Sequence, residues 1–162
     1  MTKQEFSRCI HDNENAMYAL AYGIVKNQED AADIVQDAIV KAYTSLDSLR
    51  ESRAFRAWIL RIVQNTAMSF LRGQRDTEDL DEQYDLAAPQ PEVDRETRLT
   101  LWEAVNRLKM PYRMVLVLYY YNDCSVGHIA SVTGTPTATV RQQLSRGRKM
   151  LAGILNKEDF LR

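Results

Sequence analysis

Cationic and amide side chains recur along one side of the segment 137–151, where they could contact nucleic acid. Apolar residues repeat at helical spacing on the opposite side, which predicts an amphipathic helix. Arginine can form paired hydrogen bonds with guanine and glutamine with adenine, whereas any cation can neutralise phosphate. The candidate DNA-binding residues are Arg141, Gln142, Ser145, Arg146, Arg148 and Lys149. The same cations could instead belong to a solvated helix face without a ligand. The surrounding sequence is needed to distinguish these two interpretations.

The preceding residues predict that this helix is the second of a helix-turn-helix pair. Ser125 is a suitable N-cap for a first helix, and Gly134 is a suitable C-terminal stop. Thr135 is expected to cap the second helix, with Pro136 at its first position, where a missing N–H is tolerated. Because caps, turn and charge placement agree, we expect a recognition helix that enters a DNA major groove.

A second basic segment, residues 49–75, carries six arginines against one acid, a net charge of +5. Helical apolar periodicity runs through it, and arginines and an amide project from the remaining surface. Such a surface could hold single-stranded DNA, with cations on phosphates and amides on unstacked bases. A charge run is, however, more often a solvated face. The candidates are Arg61, Asn65, Arg72 and Arg75, with Arg56 on the same segment.

An acidic and polar cluster lies on the predicted helix that begins near Ala31. Asp33 and Asp37 are one helical turn apart, and Gln36 shares their surface. Paired carboxylates can form a catalytic couple or bind metal, but no His or Cys lies nearby and one helix rarely builds such a site. A docking surface for a basic partner, or a plain solvated face, fits better. The sequence therefore predicts no catalytic residue, metal ligand or cofactor.

Apolar residues recur at three- and four-residue steps through most of the chain, and no segment alternates like a β-strand. Residues 76–91 interrupt this pattern with acids and two prolines, which is typical of a flexible linker. We therefore predict an all-α fold with two small helical domains, residues 1–75 and 92–162, the second containing the helix-turn-helix. The overall charge of −1 conceals a segregated pattern, because residues 76–96 carry −8 and residues 134–162 carry +4.

The cysteines and the N-terminus bear on the compartment. Cys9 and Cys124 lie far apart without CxxC spacing, which favours a reducing, cytoplasmic environment over a disulfide or zinc scaffold. The N-terminal residues lack the apolar core of a signal peptide, and no apolar run approaches the length of a membrane span. We therefore expect a cytoplasmic protein that is not inserted in a membrane.

Together these segments resemble bacterial RNA polymerase sigma factors of the extracytoplasmic-function (ECF) class over nearly the whole chain. The stretch DAADIVQDAIVKAYTSLDSL is similar to the region-two helix that docks on the polymerase clamp, and FRAWILRIVQNTAMSFLRGQR to the promoter-melting helix. The stretches LKMPYRMVLVLYYYNDCSVGHIA and TPTATVRQQLSRGRKML are similar to region four, which reads the minus-thirty-five element. Met110, Gly127 and His128 depart from the family pattern without touching the expected reading surface.

The resemblance implies a role for each candidate set. It implies that Asp33, Gln36 and Asp37 bind polymerase. It implies that the melted minus-ten element is captured by Arg61, Asn65, Arg72 and Arg75. It implies that the upstream duplex is read by Arg141, Gln142, Ser145, Arg146, Arg148 and Lys149. The implied protein is a non-enzymatic transcription initiation factor that binds core RNA polymerase and promoter DNA and takes no small-molecule substrate. The resemblance also implies an anti-sigma partner.

Two other function classes stay open on the sequence. A free-standing helix-turn-helix regulator, with an N-terminal domain for sensing or dimerisation, would bind duplex DNA without polymerase. A nuclease would need a second cluster of carboxylates, His or Cys beside Asp33 and Asp37, which the sequence does not supply. A gel shift with and without core polymerase separates the regulator from the initiation factor.

Overall fold

The computed structural model describes residues 1–77 and 100–160, and within them every regular element is helical. This confirms the predicted all-α class. Residues 78–91 of the predicted linker lie outside the described residues. The described residues form seven α-helices: α1 (Lys3–Val25), α2 (Gln28–Thr44), α3 (Phe55–Thr77), α4 (Leu101–Asn106), α5 (Tyr112–Tyr120), α6 (Val126–Thr133) and α7 (Thr137–Phe160). Short 3₁₀ turns lie at Leu46–Ser48 and Ser52–Ala54, between α2 and α3.

Helices α1, α2 and α3 pack against one another as a three-helix unit. Local signals begin the first two helices: Thr2 forms a reciprocal capping box with Glu5, and the Asn27 side chain accepts from the Asp30 N–H at 3.0 Å. The apolar stripes of the three helices then meet in a shared core. Its fully buried side chains include Met17, Leu20, Ile34, Ile59 and Val63.

Helices α4 to α7 form a second unit around α5, which is apolar on nearly all sides. Residues 113–118 of α5 are all buried, because α4, α6 and α7 surround this short helix together with α1. Ser125 accepts a hydrogen bond from the His128 N–H at 3.1 Å, and Gly134 ends α6 with φ +69°. Both features match their predicted caps. Thr135 instead donates its hydroxyl to the Thr133 carbonyl, and α7 begins at Thr137.

The two units pack directly against each other, so that their buried residues form one continuous apolar cluster. Helix α1 contacts α5, and α3 contacts α6. Helices α1 and α5 approach closely at Gly23: a Cβ added there would lie only 3.0 Å from Val117 Cγ2. Trp102 of α4 adds ring contacts to Tyr22 of α1 and Tyr121 after α5, with centroids 5.8 and 4.8 Å apart. We call the packing of α1 and α3 against α4, α5 and α6 the interdomain seam, or the seam.

A buried arginine from the second unit completes the C-terminus of α1. The last carbonyls of an α-helix have no partner within the helix, and cations are favourable there. The Arg113 guanidinium donates to the carbonyls of Gly23 and Ile24 at this end, the latter at 3.2 Å, and to Leu108 at 3.1 Å. Arg113 is only 8% exposed. One side chain thus satisfies backbone acceptors on both sides of the seam.

Arg56 makes a matching contact in the opposite direction. From α3 it donates through Nε, at 2.9 Å, and Nη2 to the Asn122 carbonyl in the turn after α5. Its Nη1 donates to Asn13 Oδ1 of α1 at 3.1 Å. The basic segment 49–75 therefore contains at least one arginine that holds the fold together.

Candidate nucleic-acid and partner interfaces

The recognition helix predicted from the sequence is α7, and its two sides differ as expected. Val140, Leu144 and Leu151 are buried against the rest of the second unit. Gly147 is also buried, and a Cβ there would lie 3.1 Å from Leu116 Cδ1 of α5. All six predicted DNA-binding side chains are exposed: Arg141, Gln142, Ser145, Arg146, Arg148 and Lys149. Helical geometry spreads them over somewhat less than half of the circumference, a width suited to lying in a groove.

Helix α6 supports α7 from behind, as the first helix of a helix-turn-helix does. Its buried Ile129 and Val132 face the core, and it contacts both α7 and α3. Gly127 and His128, which depart from the family pattern, are both exposed. The Ser125 cap supplies the start of this helix despite the weak helix former at Gly127. The departures therefore leave the pair intact.

The melted-DNA candidates fall on one exposed stripe of α3. Arg61, Asn65 and Arg72 are separated by four and seven residues, which places them within about 40° of one another around the helix axis. All three are exposed, and Arg72 Nη2 donates to Ser69 Oγ at 3.0 Å. The Arg75 side chain lies outside the described residues. Arg56 is not on this stripe, because its guanidinium is engaged at the seam.

The acidic and polar cluster of α2 is exposed and continues into apolar side chains. Asp33, Gln36 and Asp37 all face solvent. Further along the helix Val40 is 62% exposed and Tyr43 46% exposed, and both lie on the same side of α2 as the polar cluster. We call these five residues the α2 face. The apolar half of this face was not predicted from the sequence. The available signal was that Val40 falls outside the apolar stripe of α2, which is formed by Ile34, Val35, Ala38, Ile39 and Ala42.

The α2 face also shows a local electrostatic effect. Partial burial raises the pKa of the Asp30 carboxyl, and the neighbouring carboxylates of Asp33 and Glu29 raise it further. Negative charge is therefore concentrated along the first turns of α2. A cationic partner placed there would relieve this repulsion.

Features of other functional classes are sparse in the described part of the chain. In residues 1–77 and 100–160 there is no cluster of three or more His, Cys, Asp or Glu arranged to hold a metal ion. Over the same residues, no helix has the length and apolarity required to cross a membrane. An open groove of about 430 Å³ lies beside the seam, lined by Tyr18, Ala19, Tyr22, Gln28 and Trp102.

Sequence comparisons agree with this arrangement. Residues 9–77 match the family model for sigma-70 region 2, and residues 98–151 match the model for sigma-70 region 4. The RNA polymerase sigma factor SigV of Bacillus subtilis is 34% identical, with 98% of this chain and 96% of that protein covered. The ECF RNA polymerase sigma-E factor of Escherichia coli is 31% identical over 75% of this chain and 72% of that protein.

Solved structures show the same fold. The sigma factor RpoE of Bartonella quintana, solved in complex with the anti-sigma factor NepR, superposes with a TM-score of 0.78 at 24% identity. That superposition covers 94% of this chain and 98% of RpoE. The structure of CnrH in complex with the cytosolic domain of CnrY gives a TM-score of 0.70 at 23% identity, covering 96% of this chain and 90% of that one.

An all-α chain with an exposed cationic recognition helix and a matching region 2 is a bacterial transcription initiation factor that directs RNA polymerase to promoters. The chain belongs to the extracytoplasmic-function sigma factors. The alternative of a free-standing regulator is not favoured, because both halves match sigma factor regions in their expected order.

Proposed function

We propose that this sigma factor uses three exposed surfaces in sequence: the α2 face on core polymerase, the α3 stripe on melted DNA, and α7 on upstream duplex. The observation that carries the proposal is the exposure of all three sets, whereas Arg56 and Arg113 are engaged in hydrogen bonds at the seam. We further propose the domain limits 1–75 and 92–162, joined by residues 76–91.

The α2 face suits a polymerase surface that combines basic and apolar groups. Asp33 and Asp37 offer carboxylates and Gln36 an amide, all without an ion pair among the described residues. Val40 supplies apolar surface, and its removal from water in the complex contributes favourable binding free energy. Charges at the rim would speed the encounter, and an apolar centre would slow dissociation.

The α3 stripe suits an unstacked strand. Arg61 and Arg72 lie on either side of Asn65 along the helix, so two cations can hold the backbone while the amide meets a base edge. An amide has both donor and acceptor groups, which lets it distinguish the hydrogen-bonding edge of one base from another. We assign Arg75 to the same strand by its position, one turn beyond Arg72.

The exposed side of α7 suits a major groove. Gln142 and Arg146 are one turn apart and can reach base edges, while Arg141, Arg148 and Lys149 can reach phosphates. Neither DNA surface needs high affinity alone, because attachment to one polymerase raises the effective concentration of the other.

We propose the remaining assignments with the support of family membership. In this proposal the protein acts without catalysis of its own, with no metal or other cofactor, in the cytoplasm where polymerase works. Its similarity to RpoE and CnrH, both solved with a bound partner protein, supports regulation by an anti-sigma factor.

The decisive test is reconstitution with core RNA polymerase. The full chain is expected to co-purify with core enzyme and to support run-off transcription from a promoter selected on fragmented genomic DNA. The variant Asp37→Lys should lose polymerase binding while its thermal unfolding stays unchanged, because the side chain is exposed. Asp12→Lys, which alters an exposed acid on α1, is the matched control and should bind normally. Duplex binding that is equally strong without core enzyme would support the free-standing regulator.

A second test concerns the recognition helix. In the holoenzyme, Arg146→Ala should cost about 1–3 kcal/mol of binding and relax preference at one upstream base pair. The measurement is binding competition among single-base variants of the selected promoter. A loss that is uniform over all sequences would make Arg146 a phosphate contact.

A further inference from the structure

An exposed tyrosine on α5 lies beneath one arginine of the recognition helix. Arg148 Cζ is 4.8 Å from the centroid of the Tyr119 ring, within cation–π range. Among the described residues Arg148 makes no ion pair. Tyr119 belongs to none of the three surfaces proposed above, and the residue is 37% exposed.

Close packing of the two helices creates this contact. Gly147, the residue before Arg148, has no side chain, so α7 lies close to α5 at Leu116 and Tyr112. Leu116 and Tyr119 are three residues apart and therefore neighbours on α5. The absent side chain at one position thus sets the guanidinium of the next over the tyrosine ring.

We propose that Tyr119 is a positioning residue that holds Arg148 ready for a DNA phosphate; the inference rests on the proposed DNA-binding role of α7. Stacking uses the face of the guanidinium and leaves its in-plane N–H donors available for two parallel bonds to phosphate oxygens. A free arginine on the helix edge samples many rotamers, and binding DNA must then restrict them. The ring removes part of that restriction before DNA arrives.

The neighbouring tyrosine provides a matched comparison. Tyr120 is exposed to the same extent, 38%, and lies in edge contact with Tyr119 at a centroid separation of 5.1 Å. The cation–π contact of Arg148 is with the Tyr119 ring. Substitution of Tyr120 therefore removes similar exposed aromatic area without removing the ring under the cation.

The experiment is a double-mutant cycle in the reconstituted holoenzyme. The probe is the duplex that the wild-type holoenzyme selects from a randomised pool, and binding is measured by anisotropy at fixed salt. Tyr119→Leu should weaken binding about two- to fivefold, the range of an exposed cation–π contact. Tyr119→Phe keeps the ring and should bind like wild type, and Tyr120→Leu should do the same. In an Arg148→Ala background, Tyr119→Leu should have no further effect.

Several results would overturn the inference. An equal loss for Tyr119→Leu with and without Arg148 would show independent action, and a loss for Tyr119→Phe would show that the hydroxyl contacts DNA itself. Normal binding by Tyr119→Leu, while Arg146→Ala binds weakly, would refute the positioning role alone. If Arg146→Ala also binds normally, the proposed function of α7 fails and the inference fails with it. Circular dichroism melts of each full-length variant check that the fold is retained.

Discussion

Removal of the Arg113 side chain should weaken the whole protein, because one guanidinium joins the two halves of the chain. In Arg113→Ala, the carbonyls of Gly23 and Ile24 at the end of α1 and of Leu108 after α4 lose this donor. The site is buried, so water cannot replace the donor without opening the seam. The variant Arg113→Met keeps most of the side-chain volume and isolates the loss of hydrogen bonds.

The magnitude follows from the number and kind of bonds. Each hydrogen bond to a charged group contributes on the order of 1.5 kcal/mol or more, and an unpaired buried carbonyl costs a similar amount. Three such acceptors give roughly 3–5 kcal/mol, after allowing for relaxation at the site. That is a large part of a typical folding free energy of about 5–15 kcal/mol. Arg113→Met should recover only the packing part of the loss.

The first measurement is urea unfolding of the full chain, monitored by circular dichroism. The second is the radius of gyration from small-angle X-ray scattering without denaturant. Arg113→Ala should lower the unfolding free energy by the stated amount and increase the radius of gyration as the seam opens. Arg8→Ala, on the exposed side of α1, is the control and should change stability by less than about 0.5 kcal/mol. A loss below about 1 kcal/mol for Arg113→Ala, with unchanged scattering, would show that the seam does not depend on this arginine.

Two further predictions concern the seam and the buried thiol. Gly23→Ala places a Cβ 3.0 Å from Val117 Cγ2, so it should be less stable by about 1–3 kcal/mol than Gly153→Ala, whose Cβ meets nothing within 4 Å; equal melting temperatures would contradict the close approach. Burial raises the pKa of the Cys124 thiol, although the nearby Arg56 cation partly opposes this effect. Because the pKa of this thiol is higher in the folded state than in the unfolded state, its contribution to the stability of the fold is present below the unfolded pKa and is lost as pH rises through the folded pKa. A buried thiol with a raised pKa also reacts slowly with alkylating reagents. Mass spectrometry after iodoacetamide treatment at pH 8 should show modification of the partly exposed Cys9 before Cys124, and equal rates would refute the burial of Cys124.

Local sequence was sufficient to predict the helices and the turn of the helix-turn-helix. Ser125 and Gly134 act within one turn of the chain, so their capping roles can be read from the residue types alone. Thr135 was predicted wrongly as the cap of α7, because the helix begins at Thr137 and the carbonyl that accepts its first hydrogen bond, from the Val140 N–H, belongs to Pro136. The cation pattern of α7 was equally local, since helical periodicity fixes which side chains share a side.

Arginine roles could not be separated from the sequence. Arg56 and Arg61 lie in the same basic segment, yet one is bonded to Asn122, 66 residues away, and the other faces solvent. The difference arises because a buried backbone carbonyl at the seam needs hydrogen-bond donors, and only the packing of distant elements brings that carbonyl within reach of Arg56. The position of Tyr119 beneath Arg148 likewise depends on the approach of α5 to α7, which lie far apart in the sequence.

The sequence by itself determined the helices, their amphipathic sides and the family, because these depend on residue types at short, regular spacing. Only the tertiary structure decided that the two halves pack along a seam and that Arg113 completes the end of α1. It also decided that Val40 stays exposed on the α2 face. The physical reason is that residues bury and bond one another at the seam although they lie far apart in the sequence: Arg113 is about 90 positions from its partners Gly23 and Ile24. No periodic sequence pattern encodes a pairing at such a separation.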